Sequence, residues 1–569
     1  MPALTKEAQA ALHDHDVVVV GSGAGGGMAA WALARRGVKV LMLEAGRDYD
    51  PRSETPMFQD FHEAPLRAVG TPDKPFNYYD AAIGGWDVEG EPYIRGSSDF
   101  HWFRTRMLGG RTNHWGRHCP RFGPYDFEPA TRDGGGIDWP IGYDEMAPWY
   151  DRTEALCGVN GTNTNLENHP SSGAGVLQPW VGARAAEMFV KAGANDLGIP
   201  VEPARRMILT RDQDIRNACF YATPCLRGCS IGAAFQTTTS LIPLALDTGN
   251  LTVLTDAHVA EVTTHPDGRA KGVLFIDRQT GNRHEATGRA VVLAASSCET
   301  ARILLNSRDG DGLANGSGRI GRNLMDTVGT AAWARFPALG GRPRYNEDGT
   351  AVGHMYMPWW LYQEQARGEL DFTRGYHVEF NTDMSKAPMM NIGRAARMSG
   401  AYGQALRDAA YDHYGSYIVF EGRGEMVASD ACYAELDGSV RDRFGLPVLK
   451  FHWQWSDQEL NQVRHMRRTF QDVTERLGGE LLARWDMDPA KAINKPGEII
   501  HEVGTTHMGD DADASVTDRW SRAHEVPNLM VADGGVFCSN PHKNPTLTIM
   551  ALAWRGAERL ADDMRARAV

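Results

Sequence analysis

The feature that most constrains the fold is a glycine-rich turn near the N-terminus, between a short apolar run and a helical pattern. Residues 16–20 (DVVVV) form a continuous apolar run, which is typical of a strand buried on both faces. The turn follows at once, residues 27–36 have the pattern of a helix, and residues 38–43 form a second apolar run that ends at Glu44. This order predicts a βαβ unit, and therefore a parallel sheet with helices on its faces.

Three glycines of the turn, Gly21, Gly23 and Gly26, match the G-x-G-x-x-G pattern of dinucleotide-binding folds. The first allows the tight turn, the second lets a pyrophosphate approach the backbone, and the third lets the helix pack on the strand. The phosphates would lie at the helix N-terminus, and Glu44 would bind ribose hydroxyls. The alternative is a glycine-rich turn in an unrelated α/β protein, which the ordered elements disfavour. The motif does not distinguish FAD from NAD.

Length and charge narrow the class of protein. The chain has 569 residues, more than one core usually holds, so two domains are expected. A net charge of −13 argues against nucleic acid or an anionic membrane as the main partner. No run approaches the roughly 18 apolar residues of a membrane span, and the N-terminal segment has no apolar signal core. By its own sequence the chain is expected to be cytoplasmic; export together with a signal-bearing partner is the alternative.

Further blocks of sequence resemble the GMC (glucose–methanol–choline) oxidoreductases over nearly the full length. Besides the glycine turn, they are residues 106–116 (RMLGGRTNHWG), 291–307 with 321–326 (GRNLMD), and 501–553. The resemblance implies FAD and an α/β fold, with a Rossmann-like FAD-binding domain of the GMC and pyranose-oxidase type and a discontinuous α+β substrate domain. The expected segments are 12–125, 216–326 and 496–569 for the FAD-binding domain, and 126–215 and 327–495 for the substrate-binding domain.

The resemblance also implies which residues hold the cofactor. The Gly-Gly block lies along the flavin in that family, and Val259 would contact the adenine through its backbone. Asp533 and Gly534 would meet the pyrophosphate side, and Asn544, Pro545 and Thr546 the isoalloxazine. The residues implicated in the Gly-Gly block are Gly109, Gly110, Thr112, Asn113 and His114.

Two roles are possible for His114. In some sugar-oxidising relatives a histidine in this Gly-Gly-x-x-x-His-Trp context is bonded covalently to the flavin. A polar residue beside the ring is the other reading, because histidine has several common roles.

Alcohol oxidation needs a base for the hydroxyl proton and an acceptor, flavin N5, for the hydride. A neutral histidine suits the first task. The resemblance implies His501 as the base and Asn544 as the donor that fixes the substrate oxygen, a pairing similar to that of pyranose oxidase and sugar dehydrogenases. His542 is the alternative second residue. His507 stands where many relatives have arginine, and a structural polar contact is favoured there over a second base.

Three of the eight cysteines, Cys219, Cys225 and Cys229, lie close together in residues 217–233 (NACFYATPCLRGCSIGA). Three thiolates at this spacing can each ligate one iron of a cluster, which is favoured over zinc and over structural cysteines. The spacing resembles the [3Fe-4S] loop of GMC catalytic subunits of bacterial glucose and glucoside dehydrogenases. That resemblance implies a dehydrogenase, a cytochrome c-type electron acceptor and a small companion subunit.

Within the family, the chain resembles the catalytic subunits of bacterial glucoside 3-dehydrogenases, through residues 138–151, the cysteine loop and the C-terminal block. The implied reaction is oxidation of a secondary sugar hydroxyl, at C3, to a ketone. A non-sugar alcohol substrate or an oxygen-using sugar oxidase are alternatives. A flavin-binding electron-transfer subunit without its own substrate is disfavoured by the presence of both His501 and Asn544. The aromatic residues 355–362 (MYMPWWLY) could stack on a substrate of either kind.

Overall fold

The computed structural model describes residues 12–55, 71–72, 84–221, 228–308, 312–340, 353–382, 392, 395–396, 399–413, 415–484 and 486–566. Its strands are β1 (Val17–Val20), β2 (Val40–Leu43), β3 (Gly84–Gly85), β4 (Arg104–Thr105), β5 (Glu202–Pro203), β6 (Leu251–Leu254), β7 (Ala257–Thr264), β8 (Ala270–Asp277), β9 (Arg283–Thr287), β10 (Ala290–Leu293), β11 (Val328–Arg335), β12 (Met355–Met357), β13 (Tyr376–Thr382), β14 (Tyr417–Gly424), β15 (Tyr433–Arg441), β16 (Pro447–His452), β17 (Glu480–Leu481) and β18 (Leu529–Val531). Its α-helices are α1 (Ala24–Ala34), α2 (Pro51–Glu54), α3 (Pro124–Phe127), α4 (Pro129–Asp133), α5 (Tyr143–Cys157), α6 (Ala185–Asp196), α7 (Leu241–Leu246), α8 (Ser297–Asn306), α9 (Tyr362–Ala366), α10 (Gly403–His413), α11 (Asp457–Arg476), α12 (Pro489–Ala492) and α13 (Thr546–Arg565).

The first layer is a five-stranded parallel sheet in the order β18-β10-β1-β2-β6. The strands β1, β2 and β10 are buried along their whole length, as their unbroken apolar runs require of a sheet covered on both faces. This arrangement confirms the predicted α/β fold with a Rossmann-like unit. Among the described helices, none is long and apolar enough to cross a membrane.

The glycine turn fixes how α1 leaves β1. Gly21 has φ +100°, and a Cβ there would lie 2.3 Å from the Ala294 carbonyl oxygen. A Cβ on Gly26 would lie 2.0 Å from the carbonyl oxygen of Gly21, so only glycine allows the helix to sit this close to the strand. The helix begins at Ala24, three residues earlier than predicted, because the last residues of the glycine-rich segment already form the first helical turn.

The second layer is a six-stranded sheet in the order β17-β11-β14-β13-β12-β5. Its central strands β13 and β14 are antiparallel, and α11 packs on one of their faces, where Cβ atoms on Gly422 or Gly424 would clash with Met466 or Gln462. Side chains alternate along a strand, so His377 and Glu379, with their cross-strand partners Arg423 and Glu421, point to the opposite face. Packing of α11 therefore decides which polar side chains face the parallel sheet.

The strands of these two sheets fall on either side of the proposed domain division. All five parallel strands lie in segments assigned to the FAD-binding domain, and all six strands of the second sheet lie in the other segments. The boundaries themselves stay a prediction.

Candidate active site

A cavity of about 460 Å³ opens at the carboxyl ends of the parallel strands. Its lining includes Gly21 after β1, Glu44 after β2, Ser296 after β10 and Asp533 after β18. Residues of β13 and β14 complete its wall. Ligands of open parallel sheets bind at this edge, since the loops there converge from several strands.

The end of the cavity next to β1 and β2 is arranged for a ribose and phosphates. The Glu44 carboxylate accepts hydrogen bonds from the Ser22 hydroxyl and, at 2.7 Å, from the Gly46 amide. Burial raises the pKa of Glu44, against the opposing effect of these hydrogen bonds. No other part of the described chain comes within 4 Å of where a Cβ on Gly23 would be, so the backbone there is open to an approaching phosphate at the N-terminus of α1.

The Gly-Gly block forms a short 3₁₀ helix, Gly110–Asn113, along the cavity. Gly110, Thr112 and His114 line it. Burial, together with the Arg117 charge, lowers the pKa of His114 to about 3, so its imidazole is neutral.

Gly26, Gly109 and Asn113 are not among the lining residues. Gly26 has the packing role predicted for it. Gly109 and Asn113 stand behind the lining and support it, and their contact with the cofactor stays a prediction. The Gly109 amide donates to the Ser22 hydroxyl at 2.8 Å, and the Asn113 side-chain oxygen Oδ1 accepts from Gln236 Nε2 at 3.1 Å. Gly26 lies inside the contact between α1 and β1. Ser22 was missed from sequence, although it stands inside the glycine motif and joins Glu44 to the Gly-Gly block.

Asp533, Gly534 and Val259 also line the cavity. Asp533 accepts a hydrogen bond from the Gly535 amide at 2.8 Å, and burial raises its pKa to about 6. The Val259 carbonyl already accepts from Arg302 at 2.8 Å. If Val259 contacts the adenine, it must do so either through this same oxygen, shared with Arg302, or through its own backbone amide.

His501 and Asn544, from segments far apart in sequence, line the same cavity together with Pro545 and Thr546 at the N-terminus of α13. His501 Nδ1 lies 2.9 Å from the Thr327 hydroxyl oxygen. Burial lowers the pKa of His501 to about 3, with the Arg423 charge acting in the same direction. The imidazole is therefore neutral near pH 7. When Nδ1 carries the proton and donates it to Thr327, Nε2 holds the lone pair that a base needs.

Asn544 Oδ1 is buried and has no hydrogen-bond partner in the part of the chain that the structure describes. A buried polar atom without a partner costs free energy unless a ligand supplies one. A cavity lined by this amide and by the neutral imidazole of His501 suits an alcohol substrate, whose hydroxyl group needs both a proton acceptor and a hydrogen-bond donor.

Asp326 holds the loop that carries His501. Its carboxylate accepts from the amides of Thr327 (2.8 Å), His501 (2.9 Å) and Ile499 (3.3 Å). Burial, with the nearby charge of Glu502, raises the pKa of Asp326 to about 7. The residue ends the GRNLMD block, so a sequence signal existed, but nothing local showed that two of its partners, Ile499 and His501, lie more than a hundred residues away.

Two other histidines lie outside the cavity. His542 is buried, with Nδ1 3.5 Å from His377 Nδ1, and it does not line the cavity. His507 contacts the Asn323 side chain at 2.9 Å and the Ala514 carbonyl at 3.0 Å, the structural contact expected for it.

The aromatic residues 355–362 do not line the cavity either. Trp359 is buried, with its ring centroid 4.8 Å from that of Tyr376. Trp359 thus packs in the core of the second sheet, and the described cavity gives this cluster no place for stacking on a substrate.

Of the cysteine cluster, Cys225 lies outside the described residues. Cys219 and Cys229 belong to one small apolar cluster, and their sulfur atoms accept the amides of Tyr221 (3.3 Å) and Ala234 (3.5 Å). The Cys229 amide donates to Gln236 at 2.7 Å, and Gln236 donates to Asn113. Hydrogen bonds therefore connect the cysteine loop to the Gly-Gly block beside the cavity.

Comparison with known proteins agrees with this geometry. Models of the GMC oxidoreductase family match residues 133–328 and 429–553, together more than half of the chain, and a model of an NAD(P)-binding Rossmann-like domain matches residues 19–61.

Two curated relatives match over nearly the whole length. The chain is 28% identical to 2-methyl-1,2-propanediol dehydrogenase of Mycolicibacterium austroafricanum, covering 96% of this chain and 95% of that protein. It is 27% identical to the fructose dehydrogenase large subunit of Gluconobacter japonicus, covering 97% and 98%.

A solved structure of formate oxidase from Aspergillus oryzae RIB40, in a study of FAD modification, superposes with a TM-score of 0.63 at 15% identity. The superposition covers 97% of this chain and 99% of that one. At this identity the likeness supports the fold.

Proposed function

Because the chain belongs to the GMC oxidoreductase family, an FAD-dependent class that acts on alcohol groups, we propose that it is a dehydrogenase of sugars or glycosides. It oxidises a secondary hydroxyl, in our proposal at C3, to a ketone. The observation that carries this proposal is that His501 and Asn544 line the same cavity as the glycine turn and Glu44, which are arranged for a dinucleotide.

The chemistry divides between the protein and its cofactor. The residues after β1, β2, β10 and β18 would hold FAD, which would supply the acceptor for the hydride of the carbinol carbon. The protein removes the hydroxyl proton to His501 Nε2 and donates a hydrogen bond from the Asn544 amide to the substrate oxygen. Thr327 and Asp326 keep the imidazole and its loop in place. The N-terminus of α13 faces the same region and favours negative charge there.

The substrate class is supported by the polar wall of the cavity. His118, Glu379, Glu421 and Arg423 line it, and such side chains hydrogen-bond hydroxyl groups better than they pack against a hydrocarbon. The relative named as a fructose dehydrogenase subunit supports a sugar. The relative named 2-methyl-1,2-propanediol dehydrogenase favours a second candidate, a non-sugar diol.

We also propose that Cys219, Cys225 and Cys229 would hold a [3Fe-4S] cluster, which would supply a route for electrons to a cytochrome c-type acceptor. Amide hydrogen bonds to the sulfurs of Cys219 and Cys229 are the kind that tune cluster potentials. The proximity of this loop to the Gly-Gly block supports electron transfer from the cavity. A small companion subunit is part of the proposal, supported by a relative named as a large subunit, and so is export with that partner. If the protein holds no cluster, an oxygen-using oxidase becomes the better interpretation of its activity.

The test is anaerobic bleaching of the FAD absorbance by methyl glucosides, glucose and simple diols, with iron analysis and an EPR spectrum of the oxidised protein. Bleaching by a glucoside, a 3-keto product and about three irons per chain would support the whole proposal. Bleaching without iron would overturn the cluster, and bleaching by diols alone would overturn the sugar substrate. The His501→Asn variant should retain FAD and lose bleaching, which assigns the base.

A further inference from the structure

Four buried side chains form a hydrogen-bonded network beside the reactive end of the cavity, centred on Glu379. Glu379 Oε1 lies 2.8 Å from His118 Nδ1 and 3.4 Å from His377 Nε2. His377 Nδ1 in turn lies 3.5 Å from His542 Nδ1, two residues before Asn544. The Glu379 charge also acts on the pKa of His501, which places the carboxylate near the proposed base.

Both hydrogen bonds from the histidines go to the same carboxylate oxygen. A carboxylate only accepts, so His118 Nδ1 and His377 Nε2 must both carry protons. The second oxygen, Oε2, receives no hydrogen bond from the described part of the chain, and it is absent from the buried atoms that lack partners. Because Glu379 lines the cavity, Oε2 is an acceptor that faces it, in an orientation fixed by two histidines.

The charges around this acceptor favour a neutral partner. Burial alone would raise the pKa of Glu379, but the hydrogen bonds from His118 and His377 hold it well below its usual range, so the carboxylate is ionised. The buried Arg206 also lines the cavity, and its charge interacts with Glu379. Glu421, directly across the ladder, lies 3.2 Å from Arg423.

Two carboxylates opposed across a ladder repel each other, an arrangement that proteins avoid unless cations lie beside them. Here Arg206 and Arg423 supply those cations. The two guanidinium groups would repel an ammonium group, whereas they would not repel a neutral hydroxyl group.

A metal ion is the other ligand that such a cluster can take. Among the described residues, His118, His377 and Glu379 have ligand atoms that all lie within 4.8 Å of one another. A cation bound at His118 Nδ1, His377 Nε2 and the Glu379 oxygen would displace both imidazole protons from that oxygen, and it would add positive charge next to Arg206. Hydrogen bonds to Glu379 already occupy His118 Nδ1 and His377 Nε2, although Nε2 of His118 and of His542 are buried without a partner among the described residues.

We infer that Glu379 Oε2 is a subsite for a second substrate hydroxyl, so that the enzyme selects a diol or polyol over a simple alcohol. This inference rests on the proposed function and deepens it. The reacting hydroxyl lies between His501 and Asn544 while a neighbouring hydroxyl donates to Glu379. Glu379 is then a specificity-determining residue, because a substrate without the second hydroxyl leaves a buried, ionised acceptor unpaired.

The test compares two substrates with the same ring, trans-1,2-cyclohexanediol and cyclohexanol, in anaerobic bleaching of the FAD-loaded enzyme. The Glu379→Gln variant keeps an oxygen toward the histidines and turns Oε2 into a donor. We expect kcat/KM for the diol to fall by about 10- to 100-fold, and that for cyclohexanol by less than about threefold. Glu202→Gln, in β5 of the same sheet and away from the cavity lining, is the matched control and should change neither value.

An equal loss for both substrates in Glu379→Gln would overturn the subsite. If that variant fails to fold or to hold FAD, the wild-type enzyme still decides: equal kcat/KM for the two alcohols would overturn the inference, and a preference for the diol of about tenfold or more would support it. One equivalent of a transition metal in the purified enzyme, removed by His118→Ala, would overturn it in favour of a metal centre. Bleaching by neither alcohol nor by a glucoside would refute the proposed function itself.

Discussion

The buried ion pair between Lys543 and Asp126 anchors the segment that carries Asn544, and its removal should reduce both stability and turnover. Lys543 Nζ lies 2.5 Å from Asp126 Oδ2 and donates to the Asn168 carbonyl at 2.8 Å. The two side chains are only 1% and 2% exposed. Asp126 belongs to α3, so this pair ties the loop before α13 to a distant part of the chain.

The Lys543→Met change keeps most of the volume and leaves the Asp126 carboxylate buried without its cation. Breaking one side of such a pair costs about 3–5 kcal/mol. An unfolding entropy of about 2.1 cal/mol/K per residue over the chain converts this loss to a fall in Tm of about 2.5–4 °C. Turnover should fall by about tenfold or more, because Asn544 loses its fixed position.

The assay is thermal unfolding of the FAD-loaded protein together with steady-state kinetics. The double variant Asp126→Asn/Lys543→Met should recover at least half of the lost stability, since no charge is then left unpaired. Lys495→Met is the matched control: its partner Asp99 lies at 2.6 Å, but both side chains are 52% exposed, so about 0–1 kcal/mol is expected. Equal Tm losses for Lys543→Met and Lys495→Met, or a double variant less stable than the single one, would refute the reasoning.

The remaining predictions concern the base, its support, the cysteines and pH. The His501→Asn variant should bind FAD normally and lose about 10²- to 10⁴-fold in kcat, measured by anaerobic bleaching; unchanged turnover would refute its role. Asp326→Asn should lower kcat by about tenfold or more with FAD retained, because one oxygen replaces two in holding three amides; an unaltered kcat would show that the loop holds itself. The Cys229→Ser variant should lose iron and transfer of electrons to cytochrome c while the flavin is still reduced by substrate; full iron content would contradict the cluster assignment. The free energy of unfolding should fall as pH drops from about 6.5 towards 5, because buried neutral histidines bind protons only when unfolded, at about 1.4 kcal/mol per pH unit for each net proton. Raised pKa values of Asp326, Glu425 and Asp533 act in the opposite direction. Urea unfolding between pH 5 and 8 measures this balance, and higher stability at pH 5 than at pH 7 would contradict it. The histidines concerned, with pKa values lowered to about 3 or 4, are His114, His118, His169, His258, His354, His501 and His507.

Local backbone requirements made much of the fold predictable. A run such as residues 17–20 is apolar at every position because the strand is buried on both faces. Gly21 and Gly26 are glycine because a Cβ would meet backbone oxygen at 2.3 Å and 2.0 Å. The positive φ of Gly21 and the contact of Gly26 with Gly21 act within a few residues and therefore leave a mark in the sequence.

Motif residues were predictable in the same way, except that the motif does not show which of them face the cavity. The sequence identified Glu44, His501 and Asn544, and all three line the cavity. It also implicated Gly109 and Asn113, which stand behind the lining, because a motif specifies the turn of a backbone and not which of its side chains meets the ligand.

Tertiary structure alone decided the polar wall and the support of the base. Glu379 and Arg423 face the cavity because α11 covers the other face of β13 and β14, and no pattern around either strand announces that choice. Asp326 supports His501 through amides that are distant in sequence. The sequence by itself determined the framework that holds a dinucleotide, since that depends on local geometry. The side chains that would select a substrate depend on which distant strands converge, and only packing of the whole chain settles that.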